Sequence, residues 1–163
     1  MMTSAFQIAA THGRGYPSNV VSQRYGDHIP SVKLATDTDN GQLIAVGAWA
    51  GWDYFDEAAV TTFTGKVIAQ DKNGDWLVLV TDPGDACLVY QKPLTPYETP
   101  SELLNEKTMY NKADDIVRAY VLTKFDRFTS STENFDATAL PAGTTNFVGK
   151  SVTGVANKKL VLA

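Results

Sequence analysis

The chain has 163 residues, 44% of them apolar and 20% charged, enough to bury a core in one domain or two very small modules. A formal net charge of −4 argues against a sequence-independent nucleic-acid binder, which needs clustered Lys and Arg. The single cysteine, Cys87, excludes an internal disulfide and suits a reducing place of synthesis.

Residues 1–31 open with MMTSAFQIAATHGRGYP, which lacks the basic and apolar regions of a secretory signal. No window approaches the roughly 18 apolar residues of a membrane span, so a soluble product is expected. Gly13, Gly15, Pro17, Gly26 and Pro30 interrupt any helix or strand pattern here, yet Phe6, Ile8, Tyr16, Val20, Val21, Tyr25 and Ile29 supply apolar anchors. The segment reads as an extended N-terminal arm that orders against another surface, the alternative being a flexible terminus. It is basic, with Arg14, Arg24 and Lys33 against Asp27 in residues 1–33, whereas residues 34–92 carry nine acidic side chains and three basic ones. Such a tail could lie on an acidic partner or simply be solvated.

From Ser31 the texture becomes that of strands. SVKLAT (31–36) alternates, and GQLIAVGA (41–48) follows an Asn40-Gly41 pair that predicts a hairpin. A second hairpin is predicted from VTTFTGKVIAQ (60–70) through Asn73-Gly74 into WLVLVT (76–81). Pro83-Gly84 marks a turn before ACLVYQK (86–92). Residues 93–100 hold Pro93, Pro96 and Pro100 and read as a stiff connector, after which SELLNEKT predicts a short helix capped by Ser101. IVRAYVLTKFDRFTSS (116–131) reads as two strands pivoting around Lys124–Asp126, and FVGKSVTG (147–154) and KKLVLA (158–163) as two more. The expected fold is mainly β: one or two small barrel or sandwich modules of about nine strands in all, with one short helix and the arm. The expected division is an arm over 1–31, a β-rich module over 32–92, the connector over 93–100, and a short helix plus β-rich module over 101–163. The two modules could instead form one domain.

Few residues suit catalysis. Nucleophilic chemistry needs a base beside a Ser, Cys or Thr, and the only histidines, His12 and His28, lie in the irregular arm. Cys87 sits in an apolar strand, as a core thiol would. The Asp37–Gly41 and Asp71–Asp75 stretches resemble pieces of a calcium loop but lack its closing Glu and helical flanks, so they read as turn chemistry. Gly13-Arg14-Gly15 is too short for a phosphate loop. Asp53, Asp56 and Glu57 have no evident opposing carboxylate for glycoside hydrolysis. No catalytic residue, metal or cofactor is expected.

GAWAGWDYFDEA (47–58) places Trp49, Trp52, Tyr54 and Phe55 within seven positions. Local core ranks first among the readings of this cluster, a protein interface second, and a sugar-stacking platform third. Trp76, which opens WLVLVT, is expected in the core.

The arm, the SVKLATDTDNGQLIAVG strand pair, the FTGKVIAQDKNGDWLVLV hairpin, YNKADDIVRAYVLTKFDRFTSS and the LPAGTTNFVGKSVTGVANKKLVLA ending together resemble, in layout, the decoration or cement proteins of tailed-bacteriophage heads. The resemblance implies a non-enzymatic virion structural protein, made in the host cytoplasm and bound to the capsid exterior. It would bridge major capsid protein subunits, as a homo-oligomer or beside lattice neighbours, without direct contact to membrane or nucleic acid. On that reading Phe6, Ile8, Arg14, Tyr16, Arg24 and Tyr25 are the partner-binding residues, with Trp49, Trp52 and Tyr54 a second contact. The alternative is a carbohydrate-binding or adhesive β-module that uses residues 49–55.

Overall fold

The structure is a computed structural model that describes residues 12–26, 29–91 and 110–163. It is mainly β, as expected, with twelve strands among the described residues. These are β1 (Gly15–Asn19), β2 (Ser31–Lys33), β3 (Leu43–Trp49), β4 (Phe55–Ala58), β5 (Thr64–Gln70), β6 (Trp76–Asp82), β7 (Cys87–Val89), β8 (Ile116–Val121), β9 (Arg127–Ser130), β10 (Phe135–Asp136), β11 (Ser151–Ala156) and β12 (Lys159–Leu162). One short helix, α1 (Val21–Tyr25), stops at Gly26, whose φ of 67° ends the helix at no steric cost.

Five strands close into a small barrel in the order β2-β4-β3-β7-β8. The other seven form a sheet in the order β1-β9-β6-β5-β11-β12-β10. Side-chain alternation joins the two. Ile44, Cys87, Val89, Val117 and Ala119 point into the barrel with Val32 and Leu34. Their strand neighbours Leu43, Leu88 and Tyr120 point the other way, into a larger core with Val67, Trp76, Val78, Val80, Phe128 and Leu160. Residues β3, β7 and β8 contribute to this wall are thus buried on both faces, which is why Cys87–Val89 is apolar without a break.

The hairpin at Asn73-Gly74 forms as the sequence predicts: β5 pairs antiparallel with β6, and Gly74 takes a φ of 87°. Asp71 Oδ1 accepts the amides of Asn73 and Asp75, so this carboxylate serves the turn. The hairpin expected at Asn40-Gly41 does not form. β2 pairs with β4 in parallel and with β8 instead, although Gly41 does adopt a positive φ of 89°. An Asn-Gly pair supplies the turn geometry but does not choose the partner strand, and closure of the barrel chose it here. The last strand pair is shorter at its start than FVGKSVTG suggested: β11 begins at Ser151, and Phe147 packs into the core ahead of it.

The two modules expected over 32–92 and 101–163 interleave. β6 from the first pairs with β9 from the second, and β5 pairs with β11. The connector over 93–100 and the helix expected over 101–108 lie outside the described residues.

The arm expected over 1–31 requires correction from His12 onward. β1 pairs antiparallel with β9 at an edge of the large sheet, where the missing N–H of Pro17 is tolerated and the register slips between Tyr16 and Asn19. Ser131 donates its amide to the Arg14 carbonyl, and Ser131 Oγ accepts from the Arg14 amide. Two of the glycines that looked like punctuation, Gly13 and Gly15, are packing requirements. A Cβ on Gly13 would land on the Asn134 carboxamide, and one on Gly15 would land on the Gly41 backbone. Asn134, fully buried, donates to the carbonyls of Arg14 and Asn40 and to Ser130 Oγ, tying the segment to the corner before β3.

Candidate functional site

The residues proposed for binding separate into three groups. Phe6 and Ile8 lie outside the described residues. Arg14, Tyr16, Arg24 and Tyr25 belong to the body of the molecule rather than to an extended arm. Arg14 reaches Asp75 through two contacts, Nε to Oδ2 at 3.0 Å and Nη2 to Oδ1 at 2.8 Å, and both side chains are largely buried. Burial pushes the Asp75 carboxyl above its ordinary range despite the guanidinium. Hydrogen bonding to Asp75 holds Arg14 firmly charged. A cation spent in this way is not available to an acidic partner. Tyr16 is half-buried, with its ring 6.1 Å from that of Tyr90. Arg24 lies exposed in the last turn of α1, and Tyr25 ends that helix.

Trp49, Trp52 and Tyr54 form the third group, at the tip of the β3–β4 hairpin. The core reading of Trp49 is overturned: the side chain is 60% exposed, and Trp52 is 91% exposed. β3 begins buried at Leu43 and becomes exposed before it turns, because β7 pairs with it only at Leu43 and Ile44 and the rest of the strand pairs with β4 alone. The tip is nonetheless braced. Phe55 meets Trp49 edge-on with centroids 5.2 Å apart, Ala50 donates its amide to the Tyr54 carbonyl, and the Tyr54 ring lies against Gly51, so a larger residue there would displace the ring. Trp49, Gly51 and Trp52 line an open hollow of about 430 Å³. Asp53 and Asp56 are exposed beside it, and residues 34–65 contain no Lys or Arg.

Glu57, which the sequence grouped with these carboxylates, points elsewhere. Its Oε1 lies 2.7 Å from Lys158 Nζ, and its Oε2 accepts the Ala35 amide. The same ammonium donates to Thr36 Oγ1 at 2.7 Å and Thr38 Oγ1 at 2.6 Å, so its three protons are committed. A cleft of about 330 Å³ lies alongside, lined by Leu43, Val60 and Val155 among others, but this ion pair is turned to holding the β11–β12 hairpin on the barrel. Asn157 and Lys158, both at positive φ, form the tip of that hairpin, and the Lys158 carbonyl accepts the Leu43 amide.

Of the other groups weighed for catalysis and metal binding, His28 lies outside the described residues, and His12, Asp37, Asp39 and Cys87 serve the fold. Asp39 Oδ1 is 2.8 Å from His12 Nδ1, and Asp39 Oδ2 accepts the Gly13 amide, with the His12 ring stacked on Tyr110. Asp37 accepts the Ala113 amide. Cys87 is buried, and desolvation pushes its thiol up to about 11. Among the described residues no three His, Cys, Asp or Glu side chains gather as metal ligands would. Trp76 is core as expected, its Nε1 donating to Thr132 Oγ1.

One exposed aromatic was not singled out by the sequence. Phe125 is 68% exposed and takes a φ of 73°, with Lys124 Nζ 5.2 Å from its ring centroid. Residue type alone carried no signal here, since nothing in the letters KFD shows that a phenylalanine is held in the left-handed region.

No family model, curated protein or solved structure matches this chain.

Proposed function

We propose that this chain is a non-catalytic virion structural protein that binds the exterior of a tailed-phage head and stabilises it by bridging capsid subunits. The observation that carries the reading is the β3–β4 tip, where two largely exposed tryptophans stand on a braced hairpin that projects from a closed barrel. An exposed indole backed by another ring, as Trp49 is by Phe55, loses little conformational freedom on docking, which makes it an efficient anchor. Arg14 is committed to Asp75 and Phe6 and Ile8 lie outside the described residues, so the reading rests on Trp49, Trp52 and the backing Tyr54. Many weak contacts of this kind, repeated over a lattice, sum to a large stabilisation.

The test uses heads of the parent phage prepared without this protein. Wild type should co-sediment with them and raise the temperature at which they rupture, and Trp49→Ala/Trp52→Ala should do neither. Failure of the wild-type protein to bind such heads overturns the proposal. The paired indoles beside Asp53 also favour a second reading, a carbohydrate-binding tip. Quenching of tryptophan fluorescence by an oligosaccharide panel, lost in Trp52→Ala and accompanied by no head binding, would put that reading first.

A further inference from the structure

We infer that the tip takes a second copy of this chain, seating Trp49 and Trp52 of one copy on the Lys124–Phe125 turn of its neighbour with Asp53 facing Lys124. The inference rests on the adhesive reading above and names the partner of the same site.

The Lys124–Phe125 turn is built to present its ring. Phe125 donates its amide to the Val80 carbonyl, and Val80 donates back to the Asp126 carbonyl. The Asp126 carboxylate is buried and faces inward, accepting the amides of Thr123 and Val21. These bonds lock Phe125 into a backbone conformation that bulky side chains disfavour, and leave its ring in solvent. A glycine would satisfy that backbone more easily, so the phenyl ring itself has to be worth having at this position. The Lys124 ammonium lies 5.2 Å from its centroid, and most of the residue faces solvent.

Charge selects the match. The tip presents Asp53 and Asp56 in a stretch with no basic residue, while the turn presents Lys124 and Arg127 with its one carboxylate turned inward. Among aromatic side chains an indole face attracts an ammonium most strongly, so Lys124 can lie between the Phe125 ring of its own copy and a tryptophan of the next. Three aromatic side chains at about 150–250 Å² each bury less than the ~800 Å² per partner of a standard interface. The contact is therefore weak in dilute solution and suits copies held close together on a lattice.

Sedimentation velocity over roughly 10 μM to 1 mM protein tests this. The wild-type weight-average mass should rise with concentration and fall back in high salt. Phe125→Gly relieves the backbone, so its Tm should not drop, while association weakens about tenfold or more. Asp53→Lys and Lys124→Glu should each weaken association about tenfold alone, and an equimolar mixture of the two should restore it. A wild-type protein that stays monomeric throughout overturns the inference, as does association indifferent to Phe125→Gly or to the charge reversals. Head binding that depends on Trp52 in a strictly monomeric protein leaves the proposed function standing and removes only this partner. Self-association without head binding does the reverse.

Discussion

Gly15→Ala decides whether the leading segment is part of the globule. Gly15 opens β1 opposite Ser130, and a Cβ there would overlap Gly41 Cα and sit 2.9 Å from both Gly41 N and the Thr129 carbonyl oxygen. All three atoms are backbone, so no rotamer change can relieve the overlap and β1 must move away from β9. Overpacking of this rigid kind costs about 3 kcal/mol. Because Gly15 lacks a positive φ, alanine recovers roughly 0.5–1 kcal/mol by restricting the unfolded chain, leaving a net loss of about 2 kcal/mol. For a chain of this size that lowers the Tm by roughly 4–8 °C. Thermal unfolding followed by near-ultraviolet dichroism measures the shift, and limited trypsin digestion should show faster cutting at Arg14 and Arg24. An arm that ordered only against a partner would give the opposite result: unchanged or slightly raised Tm in the isolated protein. That outcome would refute the account of residues 12–19 as an integral strand.

Three further outcomes are expected. Lys158→Met strands Glu57 in its cleft and should cost about 3 kcal/mol in urea unfolding, and adding Glu57→Gln should recover part of the loss; additive single effects would rule out the pairing. Cys87, with its thiol pushed up to about 11, should resist a disulfide reagent at pH 8 until the protein is unfolded, and rapid native-state labelling would contradict its burial. Desolvation is the largest single influence on the Asp85 carboxyl and raises its pKa, but hydrogen bonds from the Thr61 hydroxyl and the Thr61 and Thr62 amides together more than offset it and hold the group below the ordinary 3.8. A depressed folded value means its stabilisation is complete above the unfolded pKa and disappears as the pH falls through the folded one. Asp85→Asn should therefore flatten the acid limb of the stability curve below about pH 4, and an unchanged limb would remove Asp85 from the account.

Much of the strand content was legible because β patterns are local. The Asn73-Gly74 hairpin needs only two residues that tolerate positive φ between two apolar runs, and the pivot at Lys124–Asp126 needs only a polar break in a β-branched stretch. Pairing is not local. Asn40-Gly41 carries the same signal as Asn73-Gly74 and leads into no hairpin, because Ser31–Lys33 gains more by completing the barrel between β4 and β8 than by folding back on β3. The same limit hid the fate of the leading segment: Gly13 and Gly15 read as breaks until Asn134 and Gly41 are seen lying against them.

The candidate site divides along the same line. Its composition was plain in GAWAGWDYFDEA, but whether Trp49 and Trp52 pack inward depends on where β3 leaves the barrel. Strand alternation assigns a face and says nothing of how far the sheet extends beneath it. By itself the chain determined a β-rich body, a buried Cys87 and Trp76, and an aromatic cluster beside carboxylates, because each follows from residue type and short spacing. Only the tertiary structure decided that Arg14 is spent on Asp75, that Glu57 belongs to Lys158, and that the tryptophans and Phe125 face solvent. Those outcomes depend on partners tens of residues away, and distance along the chain carries no record of which side chains will meet.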